Sequence, residues 1–212
     1  MELFIREQYE KSKGCATTAA REEAGPEVRH FRPMVSGNVV TSPRIARLGH
    51  VGIFVEDVAR SLAFYRDLLG LTVTDADETN GMYFLSARPD EEHHEFLVCR
   101  GRTAPRDVRL LQQVSFRCGS LEDVIAFYRR LVEAQVRFDR IVSHGNAVGM
   151  YFFDPDGNRC EIYWATGLQA KQTYLAPVDL TRPADELIAE IREHVAKYGD
   201  TGFVDPQLLR NR

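Results

Sequence analysis

The sequence predicts an α+β fold made of two paired βαβββ modules, and three observations predict it. The segments "HVGIFVEDVARSLAFYRDLLGLTVTD", from His50, and "QVSFRCGSLEDVIAFYRRLVEAQVRFD", from Gln113, align without a gap at an offset of 63 residues (113 − 50). Within them Ala63-Phe64-Tyr65-Arg66 falls on Ala126-Phe127-Tyr128-Arg129. Further on, Gly81-Met82-Tyr83-Phe84 matches Gly149-Met150-Tyr151-Phe152 at an offset of 68 (149 − 81). Self-similarity over a unit of roughly 60 residues marks a duplicated supersecondary element.

Each copy opens on a short alternating run, "HVGIFV" or "QVSFRC", which reads as a strand. A helix follows. In the first copy Val58, Leu62, Tyr65 and Leu69 form its apolar stripe, and Gly70 is placed to stop it. In the second, Ser120-Leu-Glu-Asp123 resembles a capping box, and Val124, Phe127, Tyr128 and Leu131 form the stripe. Three short strands then follow, near 71–76, 81–86 and 93–99, and near 136–142, 148–153 and 159–165. The paired-module domain is expected over 46–168, with modules 46–103 and 108–168. Residues 1–45 are polar and mixed and are expected to form an N-terminal arm. Residues 169–212 form a C-terminal tail and helix. In that helix Pro183 stands near the start, Leu187, Ile188, Ile191 and Val195 share one face, and Gly199 ends it. It is expected to pack on the outside of the core or on a partner chain, and the two flanks allow a homodimer.

Composition excludes several classes. A chain of 212 residues with 44% apolar and 27% charged residues can bury a substantial core. The net charge is −4 with no basic block, which argues against nucleic acid as a partner. No apolar run approaches the about 18 residues that a membrane-spanning helix requires. The opening "MELFIREQYEKSKG" lacks a signal-peptide core, and Cys15, Cys99, Cys118 and Cys160 are scattered without a CxxC. A cytoplasmic location with free thiols is the expectation, and a zinc ribbon is not.

The residues that carry chemistry stand at matched strand positions. His50 and Gln113 each precede the apolar part of a first strand, and Glu161 lies between Cys160 and Ile162 in a last strand. A carboxylate among large apolar neighbours is costly unless something pairs with it. If a pseudo-twofold relates the copies, His50, Gln113 and Glu161 converge, and a histidine with a carboxylate and open positions suits a divalent metal. Taken singly, each has a plainer role: His50 as a structural histidine, Glu161 as the partner of Arg159 or another arginine, Gln113 as a polar strand end.

The segments "LGHVGIFVEDVARSLAFYRDLLGL", "LQQVSFRCGSLEDVIAFYRRL" and "GMYFFDPDGNRCEIYW" together resemble the vicinal oxygen chelate superfamily of glyoxalases, bleomycin-binding proteins, fosfomycin-modifying enzymes and extradiol dioxygenases. The resemblance covers about residues 46–168, and "DPDGNRCE" is its strongest local signature. It implies the paired βαβββ fold with a metal in the cleft. Further details are similar to the type I extradiol ring-cleaving dioxygenases. His93-His94 supplies the double histidine before the last strand of the first module, and His94 inherits the acid–base role. Tyr151 stands ten residues before Glu161, and His144 precedes it in "VSHGNAVGMY".

The resemblance therefore implies an enzyme that opens the ring of a small catecholic aromatic compound with O2. Fe(II), or alternatively Mn(II), would be held by His50, Gln113 and Glu161. His94 would move the proton, Tyr151 and His144 would hydrogen-bond the substrate oxygens, and the tail "GLQAKQTYLAPVDL" would cover the pocket. One departure stands out: the dioxygenase pattern has histidine where this chain has Gln113. Two other functions remain open. One is a glyoxalase-like lyase or isomerase with His50, His93 or Glu95, Gln113 and Glu161 as four ligands; the offset of 68 places His93 opposite Glu161. The other is a non-catalytic binding protein of the resistance type.

Overall fold

The computed structural model describes residues 44–209, so the expected N-terminal arm lies, up to residue 43, outside the described residues. The first module runs β1 (Val51–Val55), α1 (Val58–Leu62), β2 (Thr72–Asp77), β3 (Met82–Ser86) and β4 (Phe96–Arg100). The second runs β5 (Val114–Arg117), α2 (Leu121–Glu133), β6 (Phe138–Ser143), β7 (Ala147–Phe153) and β8 (Arg159–Ala165). Both are βαβββ units, as the repeat predicts. A short strand β9 (Ala176–Pro177) and the helix α3 (Ala184–Tyr198) follow.

The sheets have the orders β1-β4-β3-β2 and β5-β8-β7-β6-β9. In each module the first strand runs parallel to the last, and the remaining neighbours are antiparallel. The pseudo-symmetry extends to irregularities. β2 bulges between Val73 and Asp75, and β6 bulges between Phe138 and Arg140.

The helices follow from their caps. Asp57 accepts a hydrogen bond from the Arg60 backbone N–H at 3.0 Å, and Ser120 accepts one from Asp123 at 3.1 Å. The first helix departs from the sequence expectation in its second half. Residues Ala63–Leu68 form a wider π-type turn, with Leu69 N–H donating to the Phe64 carbonyl at 2.9 Å. Six residues of apolar pattern cannot separate a 3.6-residue turn from a wider one. Gly70, at φ 82°, then ends the element in a conformation that favours glycine.

One core spans both modules. Tyr65 and Phe96 from the first meet Phe152 and Ile162 from the second, and Leu187 and Ile191 bring α3 into the same cluster. The C-terminal helix thus packs into the core of its own chain through Ala184, Leu187 and Ile191, all buried. The turn 154–158 clamps the modules together. Asp154 accepts from the Tyr65 hydroxyl at 2.8 Å, while Asp156 accepts from the Glu56 backbone N–H at 2.8 Å and from Arg60 Nη2 at 2.5 Å. Both carboxylates are buried, and these bonds offset their desolvation. The clamp positions the site, because Glu56 follows the strand that begins after His50 and residue 158 leads into the strand that carries Glu161. Among the described residues no helix is long and apolar enough to cross a membrane.

Candidate functional site

Alternation divides each sheet into a covered face and an open one. In the second module Met150, Phe152, Cys160 and Ile162 are buried in the core beneath α2. Residues of opposite parity, Gly149, Tyr151, Glu161 and Tyr163, share the other face, with Tyr151 paired to Glu161 and Gly149 to Tyr163. Glu161 is only 6% exposed, yet among the described residues no lysine or arginine pairs with it. Its Oε2 accepts hydrogen bonds from Gln113 Nε2 at 2.8 Å and Ser115 Oγ at 2.6 Å. Its other oxygen rests against Gly149, in the space a Cβ there would fill. Neutral donors therefore hold a buried carboxylate that, among the described residues, has no lysine or arginine partner.

Tyr151 extends the network. Its hydroxyl is 2.8 Å from His144 Nε2. Burial, with the nearby Glu161 carboxylate, pushes the Tyr151 phenol well above its ordinary value, against an opposing pull from Arg159. Burial also lowers the pKa of His144, a neutral imidazole near pH 7. In the first module the His50 and His94 rings lie against each other, tilted by 44° with centroids 4.3 Å apart, and His93 Nδ1 is 2.9 Å from His94 Nδ1. His94 is held below the ordinary histidine range by desolvation first, then by His50 and His93.

The structure thus brings Gln113, Glu161, Tyr151 and His144 into one group and His50 with His94 into another. Among the described residues no hydrogen bond, ion pair or ring contact joins the two groups. Nor do three His, Cys, Asp or Glu side chains converge among the described residues. The expected set of His50, Gln113 and Glu161 contains only two residues of those types. The four-ligand set contains three and is not assembled.

Register gives the reason. Val51 pairs with Phe96 and Val114 with Cys160, so the modules superpose with Phe96 on Cys160, an offset of 64 (160 − 96). Leu97, not His93, stands where Glu161 stands, and the offset of 68 holds neither for the last strands nor for β3 and β7, where Phe84 stands on Tyr151 at an offset of 67 (151 − 84). Glu95 is engaged elsewhere, accepting from Arg88 Nη2 at 2.9 Å and the Ala87 backbone at 3.0 Å. His93 is exposed and turned toward Asp75 at 3.9 Å.

Sequence reasoning missed two participants, Ser115 and Arg140, and offered a third, Arg159, as a partner of Glu161, whereas it pairs with Asp139. Ser115 lies two residues beyond Gln113, and Arg159 two residues before Glu161, so alternation alone would have placed both on the open face. Arg140 is the cross-strand partner of Tyr151, but the bulge in β6 hides it from a period-two count. A cavity of about 630 Å³ lined by Arg60, Phe64, Arg106, Val136, Phe153 and Asp154 shares no residue with the site.

Paired βαβββ sheets, one with a polar, carboxylate-bearing open face, define the class, a duplicated-module protein. The chain belongs to the glyoxalase/bleomycin resistance protein/dioxygenase superfamily, whose family model matches residues 47–162. It is 28% identical over 123 residues to a manganese-dependent 2,3-dihydroxybiphenyl 1,2-dioxygenase from Geobacillus genomosp. 3, a match covering 57% of this chain and 37% of that relative. The chain therefore corresponds to little more than a third of that relative's length. Among solved structures, the fosfomycin resistance protein FosX from Listeria monocytogenes is 18% identical with a TM-score of 0.48, covering 57% of this chain and 95% of that one. A glyoxalase/dioxygenase from Nostoc punctiforme is 18% identical with a TM-score of 0.48, covering 61% and 99%.

Proposed function

We propose that the chain is a metal-dependent ring-cleaving dioxygenase of the extradiol type, acting on a catecholic compound with O2. The observation that supports this most is the buried Glu161, held by neutral donors, beside the Tyr151–His144 pair, a carboxylate ligand adjoining a hydrogen-bonding relay. His50, Gln113 and Glu161 would hold a divalent cation, which when bound polarises two adjacent substrate oxygens and supplies the redox-capable centre that O2 chemistry needs. The donors fit: one imidazole, one carboxylate and one amide oxygen. Replacing an imidazole by an amide oxygen makes the set harder, which favours Mn(II) over Fe(II). The manganese dependence of the Geobacillus relative agrees with this.

The chain's own residues supply the rest. His94, neutral because of its desolvated setting, accepts a proton from a substrate hydroxyl. Tyr151 stays protonated at every working pH and hydrogen-bonds a substrate oxygen, with His144 orienting its hydroxyl. Leu175 of the tail packs on Tyr151 and Val142 and keeps water from that side.

Gln113 also favours a second reading, a lyase or isomerase that uses the metal without redox turnover, because a neutral amide ligand does not disfavour Lewis-acid chemistry. One experiment separates the two. Metal content is measured after anaerobic purification, and oxygen uptake is then followed with a panel of catechols after loading with Mn(II) or Fe(II). Stoichiometric metal with O2 consumption and a yellow ring-fission product is the expected result. Bound metal without uptake on any catechol points to the lyase or isomerase. Absence of metal binding under any loading leaves a small-molecule-binding protein.

A further inference from the structure

Two arginines beside the Tyr151–His144 pair have no part in the chemistry above. Arg159 shares the open face with Glu161, two residues away in β8, and its guanidinium carbon lies 4.2 Å from the centroid of the Tyr151 ring. Arg140 reaches the same place from β6, as the cross-strand partner of Tyr151. The bulge between Phe138 and Arg140 is what lets the consecutive residues Asp139 and Arg140 act at one spot.

Both guanidiniums depend on a single carboxylate oxygen. Asp139 Oδ2 is 2.6 Å from Arg159 Nη2 and 3.1 Å from Arg140 Nε. Two positive charges thus share one negative charge. Glu161, the next carboxylate on this face, is engaged with Gln113 and Ser115. The Arg159 and Arg140 side chains are 20% and 26% exposed, so water screens them only in part. The Nε–H of Arg159 is buried and, among the described residues, has no hydrogen-bond partner. Bracing the Tyr151 ring accounts for the stack of Arg159. It does not account for the second guanidinium or for a buried N–H left unpaired, a costly feature in a folded chain.

We infer that Arg140 and Arg159 form an anion subsite, and that the catechol this cleft accepts carries a carboxylate on its ring or side chain. An incoming carboxylate would bring the count to two cations and two anions, and the planar guanidinium fork matches it in two-point geometry. The catechol part rests on the proposed ring-cleaving function; the anion subsite does not.

Isothermal titration under anaerobic conditions tests this without turnover, using 3,4-dihydroxybenzoate, catechol and benzoate on the full chain. 3,4-Dihydroxybenzoate is expected to bind on the order of tenfold tighter than catechol or better, as one or two charge-assisted hydrogen bonds would give. That advantage should disappear in Arg159→Met and in Arg140→Met, while catechol affinity is retained in Arg140→Met. Arg159→Lys, which keeps the charge and loses the fork, should retain only part of it. Arg140 lies outside the ring stack, so its variant tests the subsite even if Arg159→Met fails to fold. Equal affinity for the two catechols, or an advantage that survives both Met variants, overturns the inference, as does the absence of binding by all three probes. Arginine-dependent binding of benzoate without binding of catechol supports the subsite and overturns the ring-cleaving function instead.

Discussion

The two modules are the same backbone with different open faces. Aligned by strand register, His50 of the first module corresponds to Gln113 of the second, Gly52 to Ser115, Leu97 to Glu161, Phe84 to Tyr151 and Met82 to Gly149. Even the bulge residues correspond, Asp75 to Arg140. The first module's face is apolar and open, with Phe54 64% exposed. The second's is polar, and the tail covers part of it. Leu175, bridged to Val204, joins Val142 and Tyr151 in a separate small cluster there. Core positions must fill a fixed volume beneath each helix, so duplication preserves them. Open-face positions carry no such constraint and are free to diverge. The first module thus offers a hydrophobic wall and two histidines, and the second a carboxylate, a phenol and two guanidiniums.

The largest expected effect breaks the asymmetry at its centre. Glu161→Ala removes the one carboxylate ligand, and metal content by elemental analysis should fall from stoichiometric to trace. Leu97→Ala at the matching position should leave metal content unchanged.

Next, two phenylalanines contrast the covered and open faces. Phe152 is fully buried between Phe64 and Phe138, and Phe152→Ala should cost about 3–5 kcal/mol in urea unfolding. Phe54→Ala on the open face should stay within about 0.5 kcal/mol. A large loss at Phe54 would show that something covers this face in solution.

Gly149→Ala drives a Cβ into the space of the Glu161 carboxylate while leaving every proposed ligand residue in place. Metal affinity should fall on the order of 10–100-fold, as when outer support of a ligand is lost. Met82 already fills the matching position in the first module, where no carboxylate needs the room.

The smallest effect is a pH dependence. His144 and His94 have folded pKa values below their ordinary 6.5. As pH falls through 6.5 the unfolded chain takes up these protons before the folded chain does, so stability declines below that pH and is unaffected above it. Urea midpoints between pH 7.5 and 5 should show this decline, and His144→Gln should flatten it more than His94→Gln, because His144 is the more deeply buried.

Much of this architecture was legible in the chain itself. The gapless match from His50 and Gln113 announced the duplication, and alternation with helical stripes located the elements of both modules to within a few residues. Ser120 and Gly70 act where their residue types predict. The site was legible in part: the relation of Tyr151 to Glu161 emerged as a direct cross-strand pair, and His144 reaches the Tyr151 hydroxyl. The rest was hidden for physical reasons. The π-type turn differs from an α-turn by one hydrogen-bond step, which apolar spacing does not record. The choice between His93 and His94 depended on strand register, which the length of the preceding loop obscured. Asp139 and Arg140 were masked by a bulge that interrupts the period of two.

The sequence by itself determined the duplicated βαβββ plan, because apolar periodicity and turn residues act locally and read the same in both copies. The tertiary structure decided which polar side chains meet. Ladder register set Leu97 opposite the role of Glu161, the clamp at 154–158 tied the two modules, and the tail closed over Tyr151. Each of these is a contact between residues far apart in the chain, formed only when the elements pack, and no local pattern encodes it.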